Sequence, residues 1–187
     1  MPVNRTKTRM SIGTMLVGFT ATVTAVAALM PTDILSRHHS LATFATLMSK
    51  AFPAIEVFAS HSPHPEVVKL VLALLWAVLP ALVWVNATRV HAFETWRPPY
   101  VSNRLRAIPM LVVLALALIA CIWMIGFSDM RMAQSSMGRG RAFLAGLTHS
   151  RVGLGVVSSV TFLAITWIIL ALARATYLTA TNQERSE

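Results

Sequence analysis

The chain has 187 residues, of which 56% are hydrophobic and only 12% charged, about half the charged fraction of a water-soluble domain. Sixteen Lys and Arg against seven Asp and Glu give a net charge of +9. These basic residues punctuate apolar runs instead of forming a block, a pattern that marks helix ends in membrane chains and argues against a nucleic-acid surface.

One cysteine, Cys121, excludes an intrachain disulfide, a CxxC redox pair and a thiolate zinc site. Four windows carry no charge: 10–32, 70–88, 107–128 and 152–173. The shortest, 70–88, makes a helix of about 28 Å at 1.5 Å per residue, close to the ~30 Å hydrocarbon thickness of a bilayer. The expected fold is therefore all-α, a single-domain integral membrane four-helix bundle. Its spans fall at about 10–32, 67–88, 107–128 and 152–173, and an amphipathic interfacial helix at about 40–60 separates the first two. The second span is the expected packing centre.

In chain order, the first run follows Arg5, Lys7 and Arg9 and contains Ala25-Val26-Ala27, features shared with a signal peptide. The reading adopted is an uncleaved span. It is rich in small residues and threonine, and Gly18, Ala21 and Ala25 at helical spacing predict close contact with another helix. Thr14, Thr20 and Thr24 beside them suit either a centrally packed helix, the preferred reading, or a polar path.

Between 33 and 66, Leu41, Phe44, Met48, Phe52, Ile55 and Phe58 recur at three- and four-residue steps. That period predicts an amphipathic helix in the headgroup plane, ended or kinked at Pro53. Four histidines, His38, His39, His61 and His64, lie here, but their spacing matches no zinc pattern. Pro80 predicts a kink in the second span. Trp84, Trp96 and Tyr100 are aromatics of the headgroup level, and Asn86-Ala87-Thr88 reads as a chance glycosylation sequon.

The third run is the most apolar and is expected to face lipid or a partner, with Pro109 in its first turn. The loop after it holds Met130, Met132, Met137, Arg139 and Arg141, a surface suited to a partner protein or lipid headgroups. Gly155 and Ser159 give the fourth span a second close-packing pair, and the tail from Ala175 is expected to fray.

No ionisable residue falls in the middle of any run, and no P-loop, HExxH or GxSxG is present. The expected function is a non-enzymatic, cofactor-free inner-membrane subunit of a larger complex, such as a secretion, conjugation or energy-transducing machine. Its partners would be the lipid bilayer and other membrane subunits or itself, with no nucleic acid. The alternatives are a small homo-oligomeric channel or transporter lined by the first helix, and a copper-handling protein using the loop methionines. Nine basic residues on the side of the termini against seven on the other predict cytoplasmic termini.

Overall fold

A computed structural model describes residues 11–89, 104–127 and 149–184. Those residues are helical almost throughout, with no strand among them. Four helices, Ile12–Leu29, Pro65–Arg89, Ile108–Phe127 and Arg151–Leu178, are long and apolar enough to cross a membrane.

Helix α1 (Ile12–Leu29) starts where Ser11, in extended conformation, accepts the Thr14 N–H at 3.0 Å and so satisfies one of the orphan donors of the first turn. Three short helices follow: α2 (Ile34–Arg37), α3 (His39–Ala51) and α4 (Ala54–Ser60). The helix expected at about 40–60, ended or kinked at Pro53, is two helices bent by 116° at Phe52-Pro53. Pro53 supplies no N–H to continue α3, and it takes a helical φ of −58° that suits the start of α4. Both short helices pack on the next long one, and Ala45, Ala54, Ile55, Phe58 and Ala59 are buried.

Helix α5 (Pro65–Arg89) begins with Pro at its first position, where no N–H is needed, and Glu66 beside the positive end of the dipole. It runs on through Pro80, whose ring faces outward and whose missing N–H leaves the Trp76 carbonyl without its usual donor. Helix α6 (Arg104–Ile122) widens into a π-helical turn over Trp123–Phe127. It starts a turn earlier than the sequence suggests, so Pro109 lies inside the helix rather than in its first turn.

Helix α7 (Arg151–Glu184) is one continuous helix. The tail from Ala175 is helical to Glu184 instead of frayed, because Ala175–Ala180 contains neither Gly nor Pro to stop it.

The core does not centre on α5 alone. Helix α7 is the one that α1, α5 and α6 all pack against, while α5 is the most buried, with half of its most apolar window covered. For α1 and α6 that share is 6%. Helix α1 is therefore peripheral rather than central, attached to α7 along one side. Helix α6 turns Ile108, Val112, Leu116, Ile119 and Trp123 outward, one stripe at three- and four-residue steps.

Candidate functional site

Two constellations gather where α5 and α7 begin and α1 and α6 end. The first is aromatic. Phe52, at the α3–α4 bend, stacks on Trp76 of α5 with ring centroids 4.0 Å apart and planes 6° from parallel. Phe162 of α7 meets the same indole edge-on at 5.2 Å, and Phe127 closes on Phe52 at 6.1 Å. These stacked and edge-on arrangements are the ones favoured by ring quadrupoles. Gly126, in the π-turn, lies where a Cβ would meet the Phe52 and Trp76 rings at 3.4 Å. The π-turn thus brings a residue without a side chain against two rings.

The second constellation is polar. Glu66 Oε2 accepts the N–H groups of Leu35 at 2.7 Å and Ser36 at 3.2 Å, tying α5 to α2. Lys69 pairs with Glu56 of α4 at 2.5 Å. Asp33 pairs with Arg37 at 2.6 Å, and the hydrogen bond from that guanidinium holds the Asp33 carboxyl below its ordinary range. Arg151 Nη1 donates to the carbonyls of Met30 at 2.9 Å and Ala28 at 3.4 Å, so a cation of α7 caps the negative end of α1. An open cleft of about 330 Å³ lies between α3, α4 and the first turn of α5, with Thr46, Glu56, Ser60, Glu66 and Lys69 on its walls.

Farther along, Asn86 is fully buried. Its Nδ2 donates to the Leu82 carbonyl at 2.8 Å, and its Oδ1 accepts from Trp167 Nε1 of α7 at 3.3 Å. A buried, bonded side chain is closed to glycosylation, so the sequon is unused in this fold. Asn86→Val is expected to lower unfolding free energy by about 1–2 kcal/mol, one interhelical hydrogen bond plus a stranded indole N–H. Denaturation in detergent followed by circular dichroism checks this, and an unchanged midpoint counts against the bond.

The close-packing residues divide. Gly155 sits where a Cβ would lie 2.4 Å from the Thr24 Cα, and Ser159, one turn on, is also buried. Gly18, Ala21 and Ala25 are exposed on the outer side of α1, with nothing within 4 Å of a Gly18 Cβ. The hydroxyls of Thr20 and Thr24 are enclosed, and Thr24 lies against α7. Pro80 is on the outer face of α5. Met130, Met132, Met137, Arg139 and Arg141 lie outside the described residues. Among the described residues no three of His, Cys, Asp or Glu come together to hold a metal ion.

Phe52, Asn86 and Arg151 were not anticipated as contact residues. Each acts on a partner 24 to 123 positions away in sequence. Phe52 carried a local signal in the apolar period from Leu41 to Phe58, and Asn86 in being a polar amide inside an apolar run.

Among the described residues the chain is all-helical and holds four long apolar helices, compatible with an integral membrane protein. The chain matches no family model, no curated protein and no solved structure.

Proposed function

We propose that this chain is a non-enzymatic, polytopic subunit of a bacterial inner-membrane complex, built as a four-helix bundle with both termini cytoplasmic. The carrying observation is the outward face of α1, where Gly18, Ala21 and Ala25 leave a smooth strip with open space at Gly18. Lipid chains gain little from small residues, whereas a neighbouring helix gains close backbone approach. The broad apolar stripe of α6 suits lipid equally well and so carries less weight. The polar side chains of α7 add support: Ser158, Ser159, Thr161 and Thr166 all donate to carbonyls of their own helix. They are thereby satisfied without a solute. The orientation rests on the basic residues grouped with the termini.

A photoreactive amino acid at Ala21, activated in native membranes, tests the subunit reading. The expected result is one discrete adduct with a different membrane polypeptide, lost in the Gly18→Leu background. Adducts with lipid alone overturn it, and adducts only with a second copy of the chain replace it with the homo-oligomer.

A further inference from the structure

We propose that residues 34–64 form a re-entrant hairpin, which dips into the bilayer beside α5 and leaves on the side where it began; this rests on the membrane reading above. The first support is at the mouth. Glu66, just after the hairpin, bonds the N–H groups of Leu35 and Ser36 at its start. A segment whose two ends are tied together does not cross a bilayer. Taken together, α3 and α4 have the length and apolarity of a fifth span, and the closed mouth excludes that crossing. The 116° bend turns the chain back.

The second support is the tip. Phe52 stacks on Trp76, which lies seven residues past Lys69, the last charge before the uncharged run. Seven helical residues place that contact about 10 Å beyond the charged boundary. Backbone at such depth needs its hydrogen bonds satisfied within the protein. At the tip, the N–H groups of Phe52, Ile55 and Glu56 donate to Met48, Phe52 and Pro53 at 2.8–3.1 Å, and Pro53 has no N–H to satisfy.

The third support is the charge on the returning arm. That charge is Glu56, whose side chain is 61% exposed; it is paired with Lys69 of α5, only 22% exposed, so neither charge near the acyl region stands alone. On the outer side of the hairpin, Leu47, Ala51 and Pro53 are exposed, and none of the described protein covers them. Lys50, beside them, has a stem long enough to carry its ammonium to the headgroups.

Single cysteines in a Cys121→Ala background test this, in sealed vesicles of both orientations treated with a membrane-impermeant maleimide. His38→Cys and Pro63→Cys are expected to label from one and the same side. Ala51→Cys, which the protein itself leaves open, is expected to label at least ten-fold more slowly than either until the membrane is dissolved. Leu116→Cys, midway along α6, serves as the depth control. Labelling of His38→Cys and Pro63→Cys from opposite sides overturns the hairpin in favour of a fifth span. Fast labelling of Ala51→Cys overturns it in favour of a surface helix pair. Both of those results leave the membrane reading standing, whereas fast labelling of Leu116→Cys from water brings that reading down and the hairpin with it.

Discussion

Trp76→Ala is expected to lower the unfolding free energy by about 3 kcal/mol, the lower end of the range for truncating a buried tryptophan. The lower end applies because the lost rings would be covered by lipid in the unfolded reference as well, so that little of the transfer term survives. What remains is the void. Phe52 loses its stacking partner at 4.0 Å, Phe162 its edge-on contact, and Gly126 offers no side chain to fill the gap. Since the indole N–H is buried without a hydrogen-bond partner, Trp76→Phe keeps a ring in the stack and removes an unmet donor. It should cost less than half as much. Circular dichroism during an SDS titration from mild detergent measures both variants. Equal effects of Ala and Phe, or no effect of Ala, would show that the rings do not hold α5 to the α3–α4 bend.

Gly155→Ala should be the sharper test, because its sign opposes helix propensity. In an unconstrained helix the exchange stabilises by about 1 kcal/mol. Here the new Cβ would lie 2.4 Å from the Thr24 Cα and 2.9 Å from its hydroxyl oxygen. Backbone cannot rotate aside as a side chain can, so α1 must move off α7 by more than 1 Å to restore a normal ~3.5–4 Å carbon contact. The expected cost is about 2–3 kcal/mol, in the range of overpacked cores. Because Arg151 also holds the end of α1, the helix should loosen rather than detach. Gly18→Ala is the control: with nothing within 4 Å, it should leave the isolated chain as stable or slightly more so. Equal stability of the two variants would mean that α1 and α7 do not approach this closely.

Charge spacing alone made the four long helices legible. A span needs about twenty residues without charge, and each of the four helices of membrane-spanning length overlaps one uncharged window. Helix ends were less legible, since Arg104 begins α6 and Arg174 lies within α7, and a charged residue can snorkel without ending a helix. The period from Leu41 to Phe58 runs unbroken across Pro53, so the break there was legible from the proline alone, and its size of 116° from neither.

For α1, the small residues Gly18, Ala21 and Ala25 predict a contact face, yet none of the described protein packs on it. The enclosed side instead carries Thr20 and Thr24, and the smallness needed there is supplied by Gly155 from the opposite helix. Close approach requires only one of two surfaces to be small, and a single sequence cannot say which. The Asn86–Trp167 bond and the Phe52–Trp76 stack depend on how separate helices align lengthwise, a quantity that no local pattern encodes.

The unbroken 34 residues of α7 make a rod of about 51 Å, well over the ~30 Å hydrocarbon thickness of a bilayer. If Arg174 marks the exit from the oily layer, ten further residues form a stiff post about 15 Å tall. A fluorophore, tag or docking module attached at Glu184 would then ride clear of the phosphates, on a lever coupled directly to the helix that all three other long helices share.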